Sequence, residues 1–146
     1  MRFVTHGSLE TEALGTKLGI RMTSGRVIAM FGGMGMGKTA FVRGLARGLG
    51  FEGEVSSPTF AIVHEYNGGR LPLYHFDMYR VESWGDLASC GFFDYLDLGG
   101  VLAVEWSENI ENALPDDVLR VVFRRGAAPE DRTIDLEGLS YEWELD

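Results

Sequence analysis

The chain contains a single cysteine, Cys90, among its 146 residues, so no internal disulfide bond is possible. A lone thiol fits a reducing compartment, and we expect Cys90 to be a small buried hydrophobic residue. Paired Cys and His sets of the kind that bind zinc are also absent from the sequence. No apolar run approaches the roughly 18 residues of a membrane-spanning helix, and the N-terminus lacks the apolar core of a signal peptide. We therefore expect a cytoplasmic protein without a membrane partner.

Basic residues are scarce. There are 13 lysines and arginines against 22 aspartates and glutamates, which gives a formal net charge of −9. Broad binding to a nucleic-acid backbone needs a basic face, so the composition argues against it for the isolated chain. An acidic surface fits docking on another protein. The length and the 45% hydrophobic content predict one domain over residues 1–146 with a core of its own.

Glycine, in contrast, is plentiful, and four of the 20 glycines lie within the stretch FGGMGMGKT. Gly32 to Thr39 match G-x-x-x-x-G-K-[ST], the Walker A pattern for binding a nucleoside triphosphate. Glycines let backbone N–H groups surround phosphate oxygens, and the following helix presents its positive end to the same anion. Lys38 can reach the β- and γ-phosphates, and the Thr39 hydroxyl can bind Mg²⁺. The predicted nucleotide-binding residues of this loop are Gly33, Met34, Gly35, Met36, Gly37, Lys38, Thr39 and Ala40.

Two acidic residues end apolar runs elsewhere in the chain, Asp77 in LPLYHFD and Glu105 in VLAVE. Acids at the carboxyl ends of strands in an open α/β sheet lie where ligands bind. Glu105 could hold Mg²⁺ while Asp77 orients or activates water, or the two roles could be exchanged; each could instead form a cap or a salt bridge. His75 points to the same strand face as Asp77 and could support the site or be a satisfied core histidine. Thr59, after Ser57-Pro58, is a further candidate for sensing phosphate, with a plain proline turn as the alternative.

The pattern of the chain is typical of an α/β fold with a mixed sheet. Helices are predicted over Ser8 to Leu18, ended by Gly19, and over Lys38 to Leu49, with one or two short helices between Ser83 and Leu96. Strands are predicted over Arg26 to Phe31, Thr59 to Tyr66, Leu71 to Asp77 and Val101 to Trp106. The second and third of these strands form a hairpin around Asn67-Gly68-Gly69. An antiparallel, β-rich edge is predicted from Val118 to Phe123, Thr133 to Leu136 and Tyr141 to Leu145.

The glycine loop, S-P-T ending at Thr59, H-x-D-x-Y-R starting at His75, and V-E-W ending at Trp106 occur together in this order. This set resembles the TsaE (YjeE) family, small bacterial ATPases needed to make threonylcarbamoyladenosine in tRNA. The resemblance covers about Ser8 to Arg132. It implies a P-loop NTPase-like three-layer domain with a mainly parallel central sheet, binding of ATP and Mg²⁺, and action with the proteins TsaD and TsaB. The tRNA would be reached only through that complex.

By motif position, the resemblance implies that Thr39 and Glu105 hold the metal, Asp77 serves hydrolysis and Thr59 senses it. Leu9 and Thr11, at the start of the first helix, would approach the adenine. The family loop usually carries an acid where this chain has Gly33, which puts any role of that acid in doubt.

Two other functions fit a Walker A loop. A small-molecule kinase would need an arginine-rich lid, but Ser83 to Leu98 contain no arginine. A binding module with ATP as a structural ligand would not need two acids at strand ends.

Overall fold

The computed structural model describes residues 1–33, 35–55, 63–105 and 107–138, with backbone alone for residues 107–109. The strands within these ranges are β1 (Arg2–Thr5), β2 (Val27–Phe31), β3 (Val63–Tyr66), β4 (Leu73–Asp77), β5 (Val101–Glu105), β6 (Leu119–Arg125) and β7 (Arg132–Glu137). The helices are α1 (Ser8–Arg21), α2 (Lys38–Gly48), α3 (Trp84–Ser89), α4 (Phe92–Leu96) and a kinked 3-10 helix, Ser107–Ala113. None of the helices in these ranges is long and apolar enough to cross a membrane.

All seven strands belong to one sheet in the order β1-β7-β6-β2-β5-β4-β3. The four central strands, β6, β2, β5 and β4, are parallel, while β3, β7 and β1 join by antiparallel pairing. The predicted hairpin is confirmed, since Tyr66 pairs with Leu73 across the β3–β4 turn. One prediction was wrong in part: β6 does not lie at an antiparallel edge but beside β2 inside the sheet. The predicted strand over Tyr141 to Leu145 lies outside the described residues, as does the predicted start of β3 at Thr59.

Both faces of the sheet carry a hydrophobic cluster, because successive side chains of a strand point to opposite faces. Ile28 and Met30 of β2 belong to the cluster under α1 and α2, whereas Val27 and Ala29 belong to the cluster under α3 and α4. Helices therefore cover both faces of the sheet. Cys90, predicted to be buried, packs against the second cluster but remains partly exposed.

Helices α1 and α2 pack with their backbones in close contact through glycines. A Cβ atom at Gly15 would lie 2.3 Å from the carbonyl oxygen of Phe41, and one at Gly44 would lie 2.0 Å from that of Glu12. The prediction that Gly19 ends α1 was wrong, since the helix continues to Arg21. Gly19 faces α2 with the same lack of space, so this glycine serves helix packing and not helix termination.

Strand β1, which the sequence pattern did not indicate, adds an outer edge to the sheet by pairing with β7. Asp135 of β7 accepts hydrogen bonds from Arg2 and Arg124, and the Arg2 contact holds the pKa of that carboxyl below its usual value. His6 and Asp131 form a second exposed pair at 2.9 Å. This hydrogen bond raises the pKa of His6 and lowers the pKa of Asp131. Ionic contacts thus fasten the N-terminal segment to β7 and to the turn that precedes it.

Candidate functional site

The glycine loop runs from the end of β2, at the centre of the sheet, to the first turn of α2. Gly35 and Gly37 have φ angles of +74° and +96°, a left-handed backbone that side chains with a Cβ atom rarely adopt. Lys38 is 5% exposed, and its ammonium group donates a hydrogen bond of 2.7 Å to the carbonyl oxygen of Gly32. The loop thus holds its lysine directly over its own backbone. Met34, predicted to be part of the site, lies outside the described residues.

The N-terminal end of α2 has the features of an anion site. Its N-cap is Gly37, which has no side chain to cap the first turn, and that turn contains no acidic residue. The positive end of the helix dipole is therefore not neutralised by its own residues. Thr39 is half-buried and Ala40 buried in this turn, and Met36 beside them is also buried. Lysine, a glycine backbone and a helix N-terminus together fit a bound polyphosphate.

Thr11 of α1 packs against this loop. Its side chain is 1% exposed, and its Cγ2 atom lies 3.6 Å from the position that a Cβ atom would take at Gly37. The hydroxyl groups of Thr11 and Thr5 are 2.8 Å apart, which fixes the threonine between β1 and the loop. Leu9, two residues earlier in α1, is 82% exposed. Of the two predicted adenine-side residues, Thr11 therefore contacts the loop while Leu9 lies at the surface.

The structure places both predicted carboxylates at the same edge of the sheet. Asp77 and Glu105 are register partners at the ends of β4 and β5, and Glu105 is also the partner of Met30 in β2. Glu105 is 6% exposed, whereas Asp77 is half-buried and accepts a hydrogen bond from the Tyr79 N–H at 3.0 Å. Glu105 thus ends the strand next to β2, which leads into the glycine loop, and Asp77 ends the strand one further along.

The donor set fits Mg²⁺ held mainly by a bound phosphate chain. Hydroxyl and carboxylate oxygens, as in Thr39 and Glu105, are the ligands that Mg²⁺ prefers, and this ion usually takes only one or two from the protein. In the ranges that the structure describes, there is no group of three or more His, Cys, Asp or Glu side chains that could hold a metal without a ligand.

His75 contacts Glu105 directly. Nε2 of the buried histidine lies 2.6 Å from Oε2 of the carboxylate. The sequence left two hypotheses open for His75, a residue that supports the site or a satisfied core histidine. This contact with Glu105 favours the first.

Sequence reasoning missed Arg132. Its guanidinium donates a hydrogen bond of 3.0 Å to the carbonyl oxygen of Gly35, 97 positions away in the chain. No local pattern marks this contact, because it depends on β7 returning beside the loop. Thr59 and Trp106, the remaining predicted or discussed residues, lie outside the described part of the chain.

A family model and two relatives with the same name place this chain in one family. The family model described as "Threonylcarbamoyl adenosine biosynthesis protein TsaE" matches residues 5–134. A Bacillus subtilis protein named tRNA threonylcarbamoyladenosine biosynthesis protein TsaE is 39% identical over 93% of this chain and 84% of its own length. The protein of the same name from Treponema pallidum is 38% identical over 85% of this chain and 91% of its own length.

A solved structure has the same fold as this chain. The crystal structure of Bacillus subtilis YdiB superposes with a TM-score of 0.81 at 34% identity, covering 98% of this chain and 88% of that one. The match therefore includes the loop, the central strands and both helix layers. The chain belongs to the TsaE family.

Proposed function

We propose that this protein binds ATP with Mg²⁺ at the glycine loop and hydrolyses it, as part of the synthesis of threonylcarbamoyladenosine in tRNA. The observation that carries the proposal is that three features lie at one edge of the sheet: the glycine loop with the start of α2, the carboxylate of Glu105 and the carboxylate of Asp77. Lys38 and the start of α2 form an anion site after β2, Glu105 ends the adjacent strand β5, and Asp77 ends the next strand, β4, at the same edge. The names of the relatives support the biosynthetic process. The helices on both faces of a sheet with four parallel central strands support a P-loop NTPase-like, three-layer classification.

In this proposal the residues divide the work between binding and hydrolysis. Lys38 and the N–H groups of the loop hold the phosphates, and Thr39 and Glu105 hold Mg²⁺. When bound, Mg²⁺ would neutralise charge that develops on the phosphate oxygens. Asp77 orients or activates the attacking water. Its hydrogen bond from Tyr79 fixes one carboxylate oxygen and leaves the rest of the group to act on water.

The partners in the proposal are TsaD and TsaB, with tRNA reached only through their complex. The net charge of −9 supports protein partners over direct contact with a nucleic-acid backbone. A lid-bearing small-molecule kinase fits less well. The segment where a lid would lie forms α3 and α4, whose Leu87 and Phe92 are buried in the core and belong to the helix layer.

Two variants test the division of labour. Lys38→Ala removes a charged donor to phosphate, which is worth about 1.5–3 kcal/mol, so ATP should bind roughly 10- to 150-fold more weakly. Asp77→Asn keeps an oxygen that can accept from Tyr79, so ATP affinity should stay near that of the wild type. Turnover should fall by about 10²–10⁴-fold, the usual effect of losing a general base.

The measurements are equilibrium ATP binding and phosphate release, each with and without added TsaD and TsaB. We expect weak hydrolysis by the protein alone and faster hydrolysis with both partners. Equal loss of ATP affinity in the two variants would show that the assignment of Asp77 is wrong. Transfer of phosphate to a metabolite in place of water would overturn the ATPase proposal in favour of a kinase.

A further inference from the structure

His75 forms a buried, directed contact with Glu105. The Nε2–Oε2 distance is 2.6 Å, the histidine is completely buried and the glutamate side chain is 8% exposed. In the sheet register His75 is level with Ala103, so the bond runs diagonally from β4 to the end of β5. A carboxylate accepts hydrogen bonds only, so Nε2 carries the hydrogen and donates it. One oxygen of Glu105 is therefore fixed, and the other remains for a ligand.

The second ring nitrogen of His75 makes no matching contact with the protein. Nδ1 is buried and has no hydrogen-bond partner among the described protein groups. A histidine kept for stability would be expected to use both nitrogens, because an unsatisfied buried polar atom costs about 1–3 kcal/mol. An apolar side chain could fill this buried position without that cost. Within the described part of the chain, the imidazole contributes its hydrogen bond to Glu105.

We propose that His75 is a positioning residue for Glu105, which it holds in the orientation needed to bind Mg²⁺ with ATP. This inference rests on the proposed function. Partners of this kind, which orient a ligand without touching the metal, typically change metal affinity by about 10–100-fold when they are removed. His75 itself contacts neither phosphate nor metal in this scheme. Its loss should therefore raise the Mg²⁺ concentration needed to enhance nucleotide binding, and should leave metal-free binding unchanged.

Two amide variants test the roles of the two ring nitrogens of His75 separately. In His75→Gln the side-chain amide nitrogen takes the place of Nε2 and can still donate to Glu105. In His75→Asn the amide nitrogen takes the place of Nδ1 and falls short of the carboxylate. Both variants replace the ring by a smaller amide, so a difference between them reports on the hydrogen bond. His64→Leu is the matched control, because His64 is the register partner of His75 on β3 but contacts Tyr66.

The test is binding of a fluorescent ATP analogue to the full chain, titrated with Mg²⁺ and repeated in EDTA. We expect His75→Asn to need about 10–100-fold more Mg²⁺ for half-maximal enhancement, while His75→Gln stays within about threefold of the wild type. Affinity in EDTA should be the same in all variants, and thermal melts should show each to be folded.

The outcomes distinguish the two proposals. If the wild type binds no ATP, or binds it without any effect of Mg²⁺, the proposed function itself fails. If the wild type responds to Mg²⁺ and the Gln and Asn variants respond alike, the positioning role of His75 is refuted and the function stands. A Mg²⁺ response of the His64→Leu control as weak as that of His75→Asn would likewise count against a specific role.

Discussion

Replacing Gly44 with alanine should destabilise the protein strongly, although alanine is the better helix former. The new Cβ atom would lie 2.0 Å from the carbonyl oxygen of Glu12 and 2.8 Å from the backbone nitrogen of Thr16. Both are backbone atoms of α1, so no side-chain rotation can relieve the overlap and the two helices must move apart. Overpacking of a core costs about 1–3 kcal/mol, and we expect a net loss at the upper end, roughly 3 kcal/mol. That corresponds to a melting temperature lower by roughly 6–12 °C for a chain of about this size.

Gly85→Ala in α3 is the matched control. Among the described residues outside its own helix backbone and chain neighbours, its Cβ atom would meet only the Ser83 hydroxyl oxygen, at an ordinary contact distance of 3.6 Å. This variant should be unchanged or more stable by up to about 1 kcal/mol, the usual gain of alanine over glycine in a helix. Thermal and urea unfolding followed by circular dichroism measure both variants. A Gly44→Ala protein that melts at or above the wild-type temperature would refute the reasoning from close helix contact.

Two further predictions concern the loop and the chain ends. Among the described residues other than its chain neighbours, no atom lies within 4 Å of a Cβ atom at Gly33. Gly33→Asp, which introduces the acid that the family resemblance implies at this position, should therefore change stability by less than about 0.5 kcal/mol. A large drop in melting temperature would show that the space is filled. Asp131→Asn should lower the raised pKa of His6 toward 6.5, measured by NMR titration of the ring, and an unchanged pKa would mean the pair is not formed in solution. Because the folded pKa of His6 is raised, its contribution to stability is complete below pH 6.5 and is lost as the pH rises through the raised value. The lowered pKa of Asp131 has the opposite sign, with its contribution present above pH 3.8 and lost as the pH falls through the lowered value.

The parts of the site that the sequence predicts are those with a local signature. The glycine loop sits between an apolar strand and an amphipathic helix, and its Lys38 lies where the pattern requires. Asp77 and Glu105 each end an apolar run, so their position at a sheet edge follows from strand ends alone. That these two acids are register partners follows only from the β4–β5 pairing, which no local pattern encodes.

The features that the sequence does not predict depend on contacts between distant segments. β1 is a short strand with one buried residue, Thr5, so its alternation carries little signal. Gly19 looks like a helix stop because glycine is common at helix ends, but the close approach of α2 decides its role. Arg132 reaches the loop only because β7 folds back beside it. Helix packing and strand order depend on contacts between segments that are distant in the chain, and a local sequence pattern does not encode such contacts.

The position of β2 in the sheet has a consequence for synthesis of the protein. The loop follows β2, and both neighbours of β2, β5 and β6, lie more than 60 residues later in the chain. A nascent chain that ends before β5 contains the whole Walker A motif, but both edges of its strand are unpaired. The proposed nucleotide site can therefore form only when most of the chain has left the ribosome, and we expect the Walker A segment alone not to bind nucleotide.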